Sequence, residues 1–466
     1  MTSVSIIGLG KLGASMAAAF AHKGFRVIGV DINKHSVDRL NDGLAPVLET
    51  DLERFIIENR ERISATISHE EAVLASDVSF VIVPTPSNED GAFSLQYAEW
   101  AFAQIGKALR KKSSYHLVVL TSTVLPGATR HGLLPILERE SGKRAGKDFG
   151  VCYSPEFIAL GSIIRDFLNP DFTLIGELDD RSGSQLEAIY RDLVDNSASS
   201  ARMSLENAEL TKISVNTFVT TKITFANMLA SICEQLPGGD VDVVTSALGL
   251  DSRIGRKYLT GALGYGGPCF PRDNVALSYI ARALGVEPTL AETTDSLNRS
   301  ISERIANEIA AEVPAGSTVA VLGLAYKPFS HVTEESQGAQ IAEQLSRRGI
   351  RVVAFDPLSE EMSVHEHGWT FLVLDSLEEC LKQAQTVVVT TPDPAFRSLT
   401  QADFENQWAT IKVIDLWRIL RENLSGSARI DYVGLGLSKS DESATAHLTA
   451  LWSERKNVAP LAAKGE

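Results

Sequence analysis

Apolar residues in the first thirty positions follow strand spacing, then helix spacing, then strand spacing again. The run Val4–Ile7 predicts a strand, the small-residue segment Ala14–His22 predicts a helix, and Phe25–Asp31 predicts a second strand. A glycine turn, Gly8-x-Gly10-x-x-Gly13, joins the first strand to the helix. The beginning of the chain therefore predicts a β-α-β unit.

The same alternation recurs in two stretches of the chain. Apolar runs at Val78–Val83 and Leu117–Leu120 continue the first series. The segment Leu205–Leu236 has helical spacing without Pro or Gly, and helix-like sequence continues to about Pro314. The second series has apolar runs at residues 318–323, 351–356, 386–391 and 412–415. Because strands that alternate with helices form parallel sheets, we predict an α/β fold. Two Rossmann-like doubly wound domains would be joined by a long central helix and a helical middle domain.

Composition and charge narrow the class of protein. A chain of 466 residues predicts two or three domains, and 44% hydrophobic with 22% charged residues is typical of a globular protein. No apolar stretch is long enough to cross a bilayer, and the N-terminus lacks the pattern of a signal peptide, so we expect a cytoplasmic protein without a membrane partner. The net charge of -15 argues against a nucleic-acid partner. An anionic substrate would therefore need a local basic pocket.

Four cysteines are spread over the chain without any C-x-x-C pair. They are Cys152, Cys233, Cys269 and Cys380. In a cytoplasmic protein this spacing predicts neither a disulfide framework nor a zinc site, so we expect no metal. Most of the four are expected to be small buried residues.

The glycine turn predicts a dinucleotide site because it follows a strand and opens a helix. Glycine lets the backbone approach a pyrophosphate, which then lies at the helix N-terminus. We assign cofactor binding to Gly8, Gly10, Lys11, Leu12 and Gly13. Asp31 would bind the adenosine ribose hydroxyls and repel a 2′-phosphate, so the predicted cofactor is NAD. The nearby cation of Lys34 slightly weakens this inference of NAD over NADP.

Two more turns follow apolar strands at the edge where such sheets bind ligands. They contain Thr85 and Thr123. We include both residues in the cofactor site, while ordinary strand-ending turns explain the same sequences equally well.

The segment Gly264–Asp273 carries the clearest chemical signal. Three glycines and two prolines around Cys269 form a poor helix and a poor strand, and they predict a loop that presents the thiol. A nearby cation would make that thiol nucleophilic. Lys212 and Asn216 are one helical turn apart and could bind an oxyanion, although Lys212 alone would suit a solvated helix face.

These motifs resemble those of the UDP-glucose and GDP-mannose dehydrogenase family, in the same order. The matching segments are Gly8–Gly13, Ser154–Phe157, the helix motif Glu209-x-x-Lys212-x-x-x-Asn216, the cysteine loop Gly264–Asp273, and Gly323–Lys327. The resemblance implies domains at residues 1–200 for NAD, 201–314 for dimerisation and the cysteine loop, and 315–440 for the nucleotide sugar. A helical tail covers 441–466.

The resemblance also implies a mechanism, in which a C6 alcohol is oxidised twice without release of the aldehyde. Cys269 would form a thiohemiacetal and then a thioester, Lys212 and Asn216 would bind the oxyanion, and Glu156 would activate water for hydrolysis. Asp273 and Thr123 would position water or carry protons. The implied substrate contacts are Phe157, Lys212, Asn216, Arg253, Tyr258, Gly266 and Lys327. The implied partner is a second copy of the chain, with Arg253 reaching the neighbouring active site.

Several positions depart from the family pattern. Glu334 stands where a nucleotide-contacting arginine is expected, and Arg418 follows Trp417 with an offset of one residue. Leu160 replaces an acid, and Ser154 replaces an asparagine. Because nucleotide contacts change while catalytic residues persist, the sugar and base stay open. UDP-glucose is our first expectation, with GDP-mannose, TDP-glucose or a UDP-N-acetyl sugar as alternatives.

Three other classes of protein fit the sequence less well. β-Hydroxyacid and 6-phosphogluconate dehydrogenases share the glycine turn, but they need no cysteine loop and lack the second α/β series. A short-chain dehydrogenase would need Tyr-x-x-x-Lys, which this chain lacks. A catalytically impaired homologue that only binds nucleotide sugars would explain Glu334, but not the presence of Cys269 with Lys212, Asn216 and Asp273.

Overall fold

The computed structural model describes residues 2–362, 368–405, 408–438 and 441–455. Its chain divides into two compact units. The first comprises Met1–Val215 with Val275–Pro288, and the second comprises Asn216–Asn274 with Thr289–Glu466. Each unit contains one large β-sheet.

The sheet of the first unit has eight strands in the order β3-β2-β1-β4-β5-β6-β7-β8. Every neighbouring pair is parallel except β6 and β7, which are antiparallel. The strands are β1 Ser3–Ile7, β2 Arg26–Val30, β3 Ile63–Thr66, β4 Val78–Val81, β5 Leu117–Leu120, β6 Gly150–Tyr153, β7 Thr173–Glu177 and β8 Ser200–Ser204.

Helices cover both faces of this sheet. Along β1 the side chains alternate, so that Val4 and Ile6 enter one core and Ile7 enters the other. The helices that begin in this unit are α1 Lys11–His22, α2 Lys34–Asn41, α3 Leu52–Glu58, α4 His69–Ala75, α5 Gln96–Lys111, α6 Leu134–Ser141, α7 Ile163–Leu168, α8 Asp180–Leu193 and α9 Leu205–Glu234.

The sheet of the second unit has six parallel strands in the order β11-β10-β9-β12-β13-β14. It too has a separate core on each face. The strands are β9 Thr318–Leu322, β10 Arg351–Phe355, β11 Leu372–Val373, β12 Thr386–Val389, β13 Ile411–Asp415 and β14 Ile430–Gly434. The remaining helices are α10 Val241–Gly249, α11 Phe270–Ala283, α12 Thr289–Glu312, α13 Gln337–Arg347, α14 Leu377–Gln383, α15 Pro394–Arg397, α16 Arg421–Leu424 and α17 Asp441–Arg455.

The architecture confirms the predicted α/β class with two doubly wound sheets. Predicted strands agree to within about two residues; for example, the run Val78–Val83 becomes β4, and the long helix ends at Glu234 instead of Leu236. The tail is helical over Asp441–Arg455, and residues 456–466 lie outside the described part. Among the described residues no helix is long and apolar enough to cross a membrane.

Candidate active site

The glycine turn between β1 and α1 is shaped by close backbone contacts. Gly8 has a φ of 102°, and a Cβ there would lie 2.1 Å from the carbonyl oxygen of Ile82. A Cβ on Gly13 would lie 1.9 Å from the carbonyl oxygen of Gly8, so both positions require glycine. At Gly10, by contrast, a Cβ would meet no other group of the described chain within 4 Å. The backbone at Gly10 is therefore open to a ligand.

Helix α1 presents an uncapped N-terminus beside this opening. Gly10 is the N-cap, no side chain of the described residues caps it, and the first turn contains no acidic residue. That turn begins with Lys11, Leu12 and Gly13. Its backbone N–H groups and partial positive charge suit a pyrophosphate. These residues thus fit the group that the sequence predicted for them.

Asp31 follows β2 and faces the glycine turn. Its Oδ2 accepts a hydrogen bond from the backbone N of Leu9 at 2.7 Å, and its Oδ1 accepts one from Asn33 N at 2.8 Å. The half-buried carboxylate is therefore fixed next to the turn. The ammonium of Lys34 forms an exposed ion pair with Asp38 at 2.7 Å. Asp31 thus stands where it could bind ribose hydroxyls, while Lys34 is engaged along its own helix.

The turns that follow β4 and β5 are joined to each other. Thr85 Oγ1 donates to the carbonyl oxygen of Thr123 at 2.8 Å. Ser122 Oγ accepts from Val83 N at 2.9 Å and donates to Val83 O at 2.7 Å. The two predicted residues therefore come together at the carboxyl ends of neighbouring strands, where doubly wound sheets bind ligands.

Glu209 holds the second of these turns from the first turns of α9. Its carboxylate accepts hydrogen bonds from the backbone N of Gly127 at 2.5 Å and of Thr129 at 2.8 Å. Glu209 has no exposed surface, and burial raises its pKa although these N–H groups act in the opposite direction. The first acid of the Glu-x-x-Lys-x-x-x-Asn motif is therefore a structural anchor.

Glu156 lies just after β6 and has a perturbed carboxyl group. Burial raises the pKa of Glu156 to about 7, while a hydrogen bond from Tyr190 and the charge of Lys212 partly offset that rise. Tyr190 Oη donates to Glu156 Oε1 at 3.0 Å. A carboxyl group with a pKa near neutrality can both take up and release a proton under ordinary conditions.

Lys212 lies beside Glu156 and Phe157 within the first unit. Its Nζ donates to the carbonyl oxygen of Glu156 at 2.5 Å and sits 4.4 Å from the centre of the Phe157 ring. Lys212 is only 8% exposed, which rules out the solvated helix face that the sequence left open. Three predicted residues are thus brought together here.

The cysteine loop belongs to the second unit and is fixed by its glycines. Gly264 N donates to Gln337 Oε1 at 2.7 Å, and Gly267 N donates to Glu334 O at 3.0 Å. A Cβ on Gly266 would lie 2.3 Å from Glu335 O. Cys269 is exposed directly before α11, whereas the other three cysteines are buried, as expected.

Asn216 and Asp273 form a hydrogen-bonded pair in the same unit. Asn216 Nδ2 donates to Asp273 Oδ2 at 2.6 Å, and Asp273 is 3% exposed. Asp273 N in turn donates to Cys269 O at 2.9 Å. The structure therefore connects two predicted polar residues with the backbone of Cys269.

Lys327 lies on the segment that supports the cysteine loop. Its Nζ is 5.6 Å from the centre of the Tyr326 ring, and a Cβ on Gly267 would lie 2.6 Å from a carbon of that ring. Burial and the neighbouring Cys269 raise the pKa of Tyr326 to about 12. Lys327, Glu334 and the cysteine are therefore neighbours in the fold.

Arg253 and Tyr258 lie on an exposed loop of the second unit. Arg253 is paired with Asp251 at 2.6 Å, and its side chain is 87% exposed. Tyr258 is 49% exposed and its ring contacts Phe270 edge-on, with the ring centres 6.3 Å apart. Tyr258 thus lies next to the residue directly after Cys269, while Arg253 points outward.

Arg418 has a structural role that the sequence did not reveal. Its side chain is 1% exposed and forms an ion pair with Asp242 at 2.8 Å. It also donates to the carbonyl oxygens of Thr260, Gly261 and Leu435. Its guanidinium therefore binds partners within the chain.

Tyr190, the partner of Glu156, has no signal in the sequence. The two residues are far apart in the chain, and a tyrosine in an amphipathic helix has no local signature. A strand-end carboxylate, which would need a buried donor, was the one available hint. Among the described residues, no group of three His, Cys, Asp or Glu side chains could hold a metal ion.

Two doubly wound sheets with an open glycine turn and an exposed loop cysteine define a dinucleotide-dependent dehydrogenase. Three family models match the chain: the NAD binding, central and UDP binding domains of one family, over residues 2–194, 206–300 and 320–422. The chain belongs to the UDP-glucose/GDP-mannose dehydrogenase family, which confirms the predicted resemblance. It is an NAD-dependent nucleotide-sugar dehydrogenase.

Individual relatives differ in substrate. The chain is 36% identical to a UDP-glucose 6-dehydrogenase of Haloferax volcanii, over 85% of this chain and 92% of that protein. It is 34% identical to a GDP-mannose 6-dehydrogenase of Azotobacter vinelandii, over 91% and 98%. A solved UDP-glucose dehydrogenase from Pyrobaculum islandicum is similar with a TM-score of 0.83 and 33% identity, over 94% of this chain and 98% of that one.

Proposed function

We propose that the protein oxidises the C6 hydroxyl of UDP-glucose to the carboxylate of UDP-glucuronate through a covalent adduct on Cys269. The observation that carries this proposal is the exposed thiol on a glycine-rich loop, directly before a helix. The positive end of that helix favours a negatively charged sulfur. An alcohol dehydrogenase that stopped at the aldehyde would need no such loop.

NAD, when bound at Gly8–Gly13 and Asp31, would accept the hydride of the first oxidation, and a second NAD bound at the same residues would accept the hydride of the second. Cys269 attacks the aldehyde carbon, and the resulting thiohemiacetal keeps a hydride that can still be removed. Lys212 and Asn216 stabilise the oxyanion. Asp273 and Thr123 position water or carry protons. We assign NAD contacts also to Thr85, by its place at the strand edge.

Glu156 acts as general base in the last step. Water attacks the thioester carbon, its proton passes to Glu156, the C–S bond breaks, and the thiolate of Cys269 leaves. Support comes from the pKa of about 7, at which a carboxylate can accept a proton from water and release it again.

Sugar recognition is assigned to Phe157, Gly266, Arg253, Tyr258 and Lys327. The similarity to UDP-glucose dehydrogenases supports UDP-glucose, and several relatives named GDP-mannose 6-dehydrogenase make GDP-mannose the second candidate. Glu334 supports a changed nucleotide contact, because a carboxylate replaces an expected arginine next to the cysteine loop.

We further propose a homodimer formed through the second unit. Phe218, Phe225 and Ile232 recur at seven-residue spacing on α9 and are 67%, 46% and 46% exposed. Such a row of exposed apolar side chains is typical of a helix that packs on a partner. Arg253 would then reach the neighbouring active site, in keeping with its exposure.

The test is a substrate panel. Purified protein is incubated with NAD and UDP-, GDP-, TDP- or N-acetylated sugars, and NADH formed per sugar consumed is measured. We expect a ratio of about two with little free aldehyde, because each of two oxidations yields one hydride. A ratio of one without acid product would contradict the covalent mechanism. Binding without turnover of any sugar would indicate a catalytically impaired homologue.

A further inference from the structure

A line of hydrogen bonds joins Glu156 to the interior of the first unit. Tyr190 Oη lies 3.0 Å from Glu156 Oε1 and 2.7 Å from Ser154 Oγ. Ser154 Oγ lies 2.8 Å from the carbonyl oxygen of Leu174 in β7. Ser154 and Tyr190 are 1% and 3% exposed. The two hydroxyl groups are therefore shielded from water, and among the described residues their hydrogens are shared between Glu156, Leu174 and each other.

The direction of this line depends on the proton of Glu156. If the carboxyl group is protonated, Glu156 can donate to Tyr190, Tyr190 to Ser154, and Ser154 to Leu174 O. If it is ionised, Tyr190 must donate to the carboxylate, and Ser154 donates to Tyr190. A hydroxyl group can both donate and accept, so both arrangements use the same atomic positions. The hydrogens of Tyr190 and Ser154 change direction, and Leu174 O accepts the Ser154 hydrogen only when Glu156 is protonated.

We propose that Tyr190 and Ser154 are positioning residues that hold Glu156 in both protonation states of its catalytic cycle. The proposal rests on the function proposed for Glu156, since a general base gains a proton and loses it again in every turnover. A partner that could only donate or only accept would fit one of the two protonation states less well than the other.

The charged and titratable groups around these hydrogen bonds allow Glu156 to titrate while Tyr190 stays protonated. Lys212 on α9 contributes a positive charge that favours the ionised carboxylate. Cys152 on β6 faces Tyr190, and burial raises the pKa of this thiol, so that it adds no charge near neutrality. Burial and the neighbouring carboxylate also raise the pKa of Tyr190 well above its usual value. Tyr190 therefore keeps its hydrogen while Glu156 titrates.

The first test replaces Tyr190 by Phe, which removes the hydroxyl group and keeps the ring. The infrared carbonyl band of protonated Glu156, identified by its loss in Glu156→Gln, is followed against pH. We expect its midpoint to rise by about one pH unit, because the ionised carboxylate loses a charge-assisted hydrogen bond. Thioester hydrolysis should fall about fivefold near pH 7 and recover near pH 9.

The matched control is Tyr115→Phe. Tyr115 also forms a hydrogen bond with a serine, Ser182, at 3.2 Å, in the same unit. We expect this variant to leave both the infrared midpoint and the pH profile unchanged. An unchanged midpoint in Tyr190→Phe would overturn the proposal.

A second variant, Ser154→Ala, tests the reversal of the line. When Glu156 is protonated, this change removes the acceptor of the Tyr190 hydrogen. When Glu156 is ionised, that hydrogen keeps the carboxylate as its acceptor, and Tyr190 loses only a donor. We therefore expect the infrared midpoint to move down, opposite to the effect of Tyr190→Phe. A shift in the same direction as that of Tyr190→Phe would refute the reversal.

The infrared measurement needs no turnover, which separates this proposal from the proposed function. If the midpoints move as expected while hydrolysis keeps its pH profile, the hydrogen-bonded line is supported and Glu156 is not the base. If neither the midpoint nor the profile responds to Tyr190→Phe, the line has no influence on Glu156.

Discussion

The two units use the same strand-turn opening for different purposes. In the first, Gly8 N donates to Val30 O at 2.8 Å and Gly8 has a φ of 102°; in the second, Gly323 N donates to Phe355 O at 2.9 Å with a φ of 110°. In both, an aspartate at the end of the next strand accepts from the turn, Asp31 in one case and Asp356 in the other. The two turns therefore have the same local backbone geometry and the same hydrogen bond to an aspartate.

The difference lies in the segment directly after the turn. Helix α1 begins at Lys11 and its N-terminus has no side-chain cap among the described residues, whereas α13 begins only at Gln337 and is capped by Ser336. Asp31 is half-buried and accepts from two backbone N–H groups, while Asp356 is 3% exposed and accepts from three. One turn thus offers an open helix end to a pyrophosphate, and the other offers a loop of side chains.

The comparison teaches that a glycine turn alone does not define a dinucleotide site. The helix must also begin at once, and no side chain may cap its N-terminus. In the second unit the inserted segment 324–336 carries Lys327 and Glu334 instead. We infer that it recognises its ligand through these side chains.

The largest effect on acid production should come from replacing Glu156 in the first unit or Cys269 in the second. Glu156→Gln in the first unit should form the thioester and then stall, because water lacks its base, with hydrolysis about 10²–10⁴-fold slower. Mass spectrometry after substrate and NAD should find an adduct on the peptide that contains Cys269. Cys269→Ser in the second unit should instead lose acid production. Full acid formation by Cys269→Ser, or an adduct on another cysteine, would contradict this division.

The next effect concerns the two aspartates. Asp31→Ala should narrow the preference for NAD over NADP by about 10–100-fold, because hydrogen bonds of a charged group to ribose are lost. Asp356→Ala, the same change in the other turn, should leave the preference for NAD over NADP as it was. Steady-state KM values for both cofactors measure this. If the unmodified protein prefers NADP, the role of Asp31 is wrong and Lys34 becomes the residue to test.

A smaller effect is expected for Lys327. Lys327→Met should raise KM for the nucleotide sugar by about tenfold, because one contact between an ammonium and an anion is lost, while KM for NAD stays constant. Initial rates with each substrate varied in turn give both values. Equal changes in the two KM values would show that the loop does not serve the sugar alone.

The smallest effect should be the loss of the cap on α13. Ser336→Ala should lower the free energy of unfolding by about 1 kcal/mol, since the backbone N of Ala339 loses its acceptor. The affinity for NAD should be unaffected. Chemical denaturation and cofactor titration of the same variant measure both. Weaker NAD binding by this variant would contradict the assignment of NAD to the turn of the first unit alone.

The predictability of the fold follows from the local nature of its signals. Runs such as Val78–Val83 and Arg351–Asp356 are buried on both faces, so hydrophobicity alone locates them. The strand β8, Ser200–Ser204, is half-exposed and has no apolar run, so its pairing with β7 decides its structure. The antiparallel direction of β7 likewise depends on contacts distant in sequence.

The residues of the site likewise fall into those that the sequence predicts from a local motif and those that depend on distant contacts. Gly8–Gly13 and the cysteine loop are recognisable because each is a continuous motif. Lys212 could not be distinguished from a solvated lysine until its burial and its contact with Glu156 were known. The contact of Tyr190 with Glu156 and the ion pair of Arg418 with Asp242 could not be predicted, because each joins residues that are far apart in the chain.

Arg418 has a consequence for the order in which the chain is assembled. Its partner Asp242 precedes it by 176 residues, and the carbonyl oxygens of Thr260 and Gly261 precede it by 158 and 157. During synthesis from the N-terminus, these groups emerge long before the guanidinium that satisfies them. Until the last α/β domain has been synthesised, the segment around α10 therefore lacks the ion pair and the hydrogen bonds that Arg418 forms with it. A chain cut short before Arg418 would keep the segment 324–336, but the residues that precede the Cys269 loop would lack the hydrogen bonds that Arg418 donates to Thr260 and Gly261.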